Sequence, residues 1–228
     1  MESRNQSSIV LVPTPIGNLE DMSFRAIKAL KAADLIFAED TRQTKKLLNH
    51  FEINTHIESF HQNNEHAKLG YAMKLLGEGK SICYCSDAGT PGISDPGYLL
   101  VREAITNDYS VECLPGPTAL IPALVVSGLP CDRFVFEGFL PHKKGRQKRL
   151  LNLVEETRTI VFYESPHRII KMLDQLEEVF GGDREISVSR EISKLHETHY
   201  RGTINVVQNT ILKQPIKGEF VVCVAGKV

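Results

Sequence analysis

Residues 81–97 read SICYCSDAGTPGISDPG, and the organisation of the chain follows from them. Ser81 to Cys85 is an apolar run of strand length, and it enters a Gly/Pro-rich loop without any spacer. Three glycines (Gly89, Gly92, Gly97) and two prolines (Pro91, Pro96) make Ser86–Gly97 a rigid turn. Glycine also lets backbone come close to a ligand. Long loops at strand ends are where function concentrates. Asp87 is placed to accept hydrogen bonds from an amine or a ribose. No Gly-Lys-Ser/Thr follows the loop, and it is not GxGxxG. It is therefore neither a phosphate-binding P-loop nor a dinucleotide fingerprint.

Outward from this loop, strand-like runs alternate with helical ones. Before it come Ile9–Val12, a helix over Ser23–Ala33 with Phe24, Ile27 and Leu30 on one face, Leu35–Ala38, and a helix over Glu65–Leu76. After it come a helix over Tyr98–Asn107 and a strand over Val111–Leu114. Pro115-Gly116-Pro117 then punctuates the chain, and Thr118–Ser127 reads as an apolar helix. The domain boundary is expected here, giving domains 1–115 and 116–228. The second half holds strands at Phe134–Glu137, Thr159–Tyr163, Ile186–Ser189 and Phe220–Val224. A helix with Ser165 as N-cap and Pro166 in its first turn carries Ile169, Ile170, Leu173 and Leu176 as its buried stripe. Gly181-Gly182 ends it. The alternation predicts an α/β fold, two α/β domains with mainly parallel sheets. Ligands of such sheets bind beyond the carboxyl ends of the strands. That rule selects Thr14–Asn18, Glu39–Arg42, Ser86–Pro96, Pro115–Ala119 and Glu164–Arg168.

Composition sets bounds. Hydrophobic residues are 42% of 228 and charged ones 24%, so an ordinary core needs no metal or disulfide staple. The net charge of -1 makes any nucleic-acid contact a matter of a local patch. Five cysteines (Cys83, Cys85, Cys113, Cys131, Cys223) form no disulfide framework. Cys83 and Cys85 share one face of a strand as buried thiols. Met1–Ser8 has no apolar signal core, and no run reaches the roughly 20 apolar residues of a membrane helix. These features predict a cytoplasmic protein with no membrane contact. His167, His196 and His199 lack ligand spacing, so no metal is expected.

Other segments carry charge. His142–Arg149, HKKGRQKR, puts five cations at or just before a helix N-terminus, where each is disfavoured by roughly 0.3–1 kcal/mol. An anion such as phosphate explains that cost, and a solvated surface run is the alternative. Glu39-Asp40-Thr41-Arg42 is either a pair of carboxylates with a guanidinium at a ligand or a helix cap with a surface arginine. Glu164–Arg168 and Arg190–Glu197 cluster ionisable groups near strand ends, and Lys194 and Glu197 are expected on one helical face.

Seven segments occur in order: VPTPIGNLEDM, AEDTR, SDAGTPGISDPG, PGPTALIPALVVSGLP, FEGFLP, FYESPHRI and SREISKLHE. Together they resemble the ribosomal RNA small subunit methyltransferase I family of the tetrapyrrole methylase superfamily, over about Ile9 to Gly226. The resemblance implies a homodimer and S-adenosyl-L-methionine in an interdomain cleft. It implies 2′-O-methylation of a cytidine in the decoding centre of 16S small-subunit rRNA, free or in the assembled small ribosomal subunit. Cofactor contacts then fall at Ile16, Asp87, Gly89, Thr90, Thr118, Ala119 and Tyr163, with backbone near Val222–Ala225. Catalytic candidates are Lys194, Glu197, Arg42 and Glu164, with Asp40 as a further possible base. A lysine base requires a lowered pKa. RNA contacts fall on Arg168, Lys143, Lys144, Arg146, Lys148 and Arg149. The competing readings are a relative acting on a tetrapyrrole or on diphthamide, and a non-catalytic ribosome-binding protein.

Overall fold

Strand β4 (Ile82–Cys85) is buried along its whole length, which is why its sequence is continuously apolar. In the computed structural model, which describes residues 8–227, it is the central strand of a parallel sheet ordered β3-β2-β4-β1-β5. The other members are β1 (Ser8–Leu11), β2 (Leu35–Ala38), β3 (Ile57–Ser59) and β5 (Ser110–Cys113). Every pairing in this sheet is parallel. Alternate side chains feed two cores. Tyr84, Phe37 and Ile82 pack with residues of α3 (Glu65–Gly77) and α4 (Tyr98–Thr106). Cys83, Cys85 and Ile36 pack with residues of α1 (Phe24–Ala32) and α2 (Thr41–His50). Burial pushes the Cys83 thiol up to about 12, and that of Cys85 higher still.

The strand order creates a switch point. From β2 the chain moves outward to β3, whereas from β4 it crosses to β5. The loops after β2 and β4, adjacent strands, therefore leave in opposite directions, which opens a crevice at their carboxyl ends.

The chain divides into two compact units, the first ending at Thr118 and the second beginning at Ala119. The second unit contains α5 (Leu120–Val126), β6 (Phe134–Phe139), α6 (Arg146–Leu151), β7 (Thr159–Glu164) and α7 (Ile169–Phe180). It continues with β8 (Glu185–Arg190), β9 (Thr198–Thr203), α8 (Ile204–Ile211) and β10 (Phe220–Val224). Its sheet runs β6-β7-β10-β8-β9 and is mixed: β6 and β7 are parallel, while the other three pairings are antiparallel. Phe220 of β10 lies between Glu164 and Arg190, so the carboxyl ends of β7 and β8 share one edge.

Local differences from the sequence reading have physical causes. Ser165 is not the N-cap of α7. A turn intervenes, in which Ser165 O accepts from Arg168 N and Ile169 N, and the cap is Arg168. β3 and β9 are short or half-polar strands whose pairing comes from neighbours rather than from apolar pattern. Helix α2 starts at Thr41 because the Asp40 carboxylate accepts from Arg42 N at 2.8 Å, a side-chain cap.

Candidate functional site

The loops after β1, β4 and β5 are tied together at the ligand edge of the first sheet. Thr14 and Gly89 exchange two backbone hydrogen bonds, at 3.0 and 2.9 Å. Thr14 Oγ1 donates to Ser86 O at 3.3 Å, and Thr90 Oγ1 to Pro117 O at 3.0 Å. Gly89 sits at φ +81, where side chains are strained, and a Cβ there would lie 3.5 Å from Ile16 Cγ2. At Gly116 a Cβ would meet Pro13 Cβ at 2.6 Å. Of the expected cofactor residues, Ile16, Gly89 and Thr90 are thus brought together by backbone geometry. Asp87 is exposed at the same edge. Thr118 ends the first unit, and Ala119 is the N-cap position of α5 in the second.

The crevice between β2 and β4 is acidic. Asp87 Oδ1 accepts from Asp40 N at 2.9 Å, and Asp87 N donates to Glu39 Oε2 at 3.4 Å. Burial first, and the Asp87 charge second, raise the Glu39 pKa. Burial and the Glu39 charge push Asp95 up to about 6, with Asp87 adding to the rise and the Ser86 side chain opposing it. Beneath them Tyr84 is fully buried, its hydroxyl has no hydrogen-bond partner among the described residues, and its ring stops any side chain at Gly97. Asp95 and Glu39 escaped the list of expected site residues. A signal was present: the loop contains Ser-Asp-x-Gly twice, at 86–89 and 94–97. Asp40 itself is spent on its cap and on Arg42, whose Nε and Nη2 grip it at 3.0 and 2.7 Å. That guanidinium holds Asp40 down at about 2, so it is no proton acceptor near neutrality. Arg42 remains 86% exposed.

In the second unit the carboxyl edge gathers Tyr163, Glu164, Arg168 and the basic run. Glu164 is completely buried between two arginines: Oε2 meets Arg146 Nη2 at 3.1 Å and Oε1 meets Arg168 Nη2 at 2.7 Å. Oε1 also accepts from Ser165 N at 2.8 Å. The expected catalytic Glu164 therefore serves as a counter-ion. Arg146 is 4% exposed and bonds Gln175 Oε1 at 2.6 Å, which corrects its expected role as an RNA contact. Arg168 is mostly enclosed and donates to Leu140 O at 3.1 Å. Arg149 pairs with Glu137. Lys143, Lys144 and Lys148 are exposed. Tyr163 stacks edge-on with Phe136 and Phe139, at 5.0 and 5.6 Å between ring centres.

Residues 191–197 form turns instead of the expected helix, so Lys194 and Glu197 do not share a helical face. Lys194 Nζ contacts Glu191 Oε1 at 2.8 Å and Glu219 Oε2 at 3.0 Å. Burial pulls its pKa down, but those bonds outweigh it and the net shift is upward. That is opposite to the shift a lysine base requires. Glu197 is bound to Ser193 N at 2.6 Å and to His199 Nε2 at 2.8 Å. Among the described residues no cluster suits a metal, and no helix is long and apolar enough to cross a membrane. A concavity lined by Arg133, Phe134, Glu156 and Arg158 lies at the amino ends of β6 and β7, away from this chemistry.

Comparison with known proteins agrees with the geometry. The family model "Tetrapyrrole (Corrin/Porphyrin) Methylases" matches residues 8–207. A ribosomal RNA small subunit methyltransferase I from Thermotoga maritima is 45% identical over 219 residues, covering 96% of this chain and 98% of its own. One from a Synechocystis species is 48% identical, covering 96% and 78%. Among solved structures, a cobalt precorrin-4 methyltransferase has the same fold at TM-score 0.70 and 14% identity, covering 99% of this chain and 98% of its own. A uroporphyrin-III-C-methyltransferase from Thermus thermophilus does so at 0.64 and 16%, covering 96% and 94%. The parallel sheet, its glycine-pinned ligand edge and this near-complete match together show that the chain belongs to the tetrapyrrole methylases, in the ribosomal RNA small subunit methyltransferase I family.

Proposed function

We propose that this chain transfers the methyl group of S-adenosyl-L-methionine to the 2′-hydroxyl of a cytidine in the decoding centre of 16S small-subunit rRNA. The observation that carries this reading is identity of 45–48% over nearly the whole chain to relatives named for small-subunit rRNA methylation. The residues present fit the cofactor. Gly116 leaves backbone bare where a Cβ would crowd Pro13, Gly89 takes a φ of +81 that strains other residues, and Asp87 offers an acceptor two residues before Gly89. When bound, S-adenosyl-L-methionine supplies an electrophilic methyl group. Ile16, Asp87, Gly89, Thr90, Thr118, Ala119 and Tyr163 are its proposed contacts. The proposed domains are residues 1–115 and 116–228, a boundary three residues before the division between the two compact units.

The protein's share of the work is alignment and proton removal. Holding a hydroxyl in line with the methyl group is mainly a proximity effect. The hydroxyl is a weak nucleophile until its proton leaves. Exposed Lys143, Lys144 and Lys148, with Arg42, are the proposed phosphate contacts that set RNA register. The enzyme is proposed to act in the cytoplasm as a homodimer, which sedimentation of the purified chain tests. Mass spectrometry of 16S rRNA from cells with and without this protein tests the activity. The expected result is loss of one ribose methyl group on a decoding-centre cytidine; unchanged rRNA refutes the reading.

A further inference from the structure

We propose that Asp95, on the second Ser-Asp-x-Gly of the loop after β4, is the base that accepts the ribose hydroxyl proton. This rests on the ribose-methylation reading above. Asp95 belongs to the loop at the carboxyl end of β4, beside the switch-point crevice where open α/β sheets hold ligands. The backbone around it is also costly. Ser94, immediately before it, is held at φ +65, and Gly97, just after it, at φ +126. Non-glycine residues persist there only when the surroundings over-determine them, a pattern found at functional sites.

The bases expected from the sequence are excluded by their bonds. Glu164 is saturated by Arg146, Arg168 and Ser165 N. Lys194 is held charged by Glu191 and Glu219. Asp40 is gripped by Arg42, and Glu197 is tied to Ser193 and His199. No salt bridge among the described residues reaches Asp95. The groups whose charge or dipole acts on it are Glu39, Asp87, Ser86 and Tyr84, and His61, Asp40 and Glu65 act on those in turn. This surrounding is acidic, so the carboxyl group holds a proton more readily than a surface aspartate. An acceptor poised near the working pH suits general-base catalysis.

In the step assigned to it, the 2′-hydroxyl oxygen forms its bond to the methyl carbon and passes its proton to the Asp95 carboxylate. The electron pair of the breaking carbon–sulfur bond remains on sulfur, giving the neutral thioether product. Asp95 then returns the proton to water.

The test uses the full chain with assembled small ribosomal subunits, measuring single-turnover methyl transfer from pH 5 to 9. Asp95→Asn is expected to lose about 100-fold or more in rate, with S-adenosylmethionine affinity by calorimetry within twofold of wild type. Glu39→Gln removes a like charge, so it is expected to move the acidic limb of the wild-type profile to lower pH. A packing role for Asp95 would leave that limb in place. A readout without turnover is also available. Because folding raises the Asp95 pKa, the native state holds more protons than the unfolded chain between about pH 4 and 6, and stability falls across that window. Asp95→Asn is therefore expected to raise Tm above pH 6 and to leave it unchanged below pH 4. Asp95→Asn with a rate within threefold of wild type, or a limb unmoved by Glu39→Gln, overturns the assignment. Wild-type protein that methylates no ribose overturns both the assignment and the activity beneath it.

Discussion

The loops after β4 and after β7 both bring carboxylates to the ligand-facing edge of a sheet, but the two edges handle the charge differently. After β7, Glu164 is buried and fully neutralised between Arg146 and Arg168. After β4, Asp87 and Asp95 stand with Glu39 of the loop after β2, and the crevice they share raises the pKa of Glu39 and Asp95. Both oxygens of Glu164 are engaged, so it has nothing left to offer a ligand and is structural. A crowd of like charges costs stability, and folds retain such costs at functional sites. The sequence motifs FYESPHRI and SDAGTPGISDPG look equally chemical on paper. Only the partners of their carboxylates tell them apart.

The contrast predicts a graded set of effects. The largest is Glu164→Ala, which strands the buried guanidinium of Arg146 and the mostly enclosed one of Arg168. It is expected to cost about 3–5 kcal/mol and to lower Tm by on the order of 10 °C, read by calorimetry. A Tm within 2 °C of wild type would show that the cluster is not structural. Asp87→Ala strikes the other edge. It is expected to weaken S-adenosylmethionine binding about tenfold or more, roughly 1.4 kcal/mol, while Tm moves little. Unchanged affinity would sink the cofactor assignment of Asp87.

Smaller effects sharpen the division within the basic run. Lys143→Ala with Lys144→Ala is expected to flatten the salt dependence of RNA affinity by about 0.7–0.9 per lysine, with no change in Tm. Arg146→Met should leave that slope alone, since its side chain is buried. A slope change for Arg146→Met and none for the lysines would reverse the assignment. The smallest effect is at Asp40. Its carboxylate is depressed to about 2 by Arg42, so its contribution is present above the ordinary carboxylate range and is lost as pH falls through about 2. Arg42→Ala is expected to return its titration, followed by carboxyl NMR, towards the ordinary value.

Much of the fold was legible because parallel strands buried on both faces read as unbroken apolar runs. Leu35–Ala38 and Ile82–Cys85 are such runs. β3 and β9 were not, since half-exposed strands depend on their neighbours. At the site, Asp87, Gly89 and Thr90 stood out because glycine and proline mark backbone that must be rigid. Arg146 misled, because a basic run reads as surface and the sequence does not reveal which of its members turns inward. Lys194 misled in a similar way. Its spacing from Glu197 suggested a helix, but its actual partners are Glu191 and, across the edge of β10, Glu219.

By itself, then, the sequence determined the alternation of strands and helices, the glycine-pinned loop and the ordered segments of its family, since these are local patterns along the chain. Tertiary structure alone decided which charges are spent and which are free. That depends on residues far apart in the chain, such as Arg146 with Glu164 or Glu39 with Asp87 and Asp95. The cost or use of a carboxylate is set by its burial and its neighbours, and neither is written at its own position.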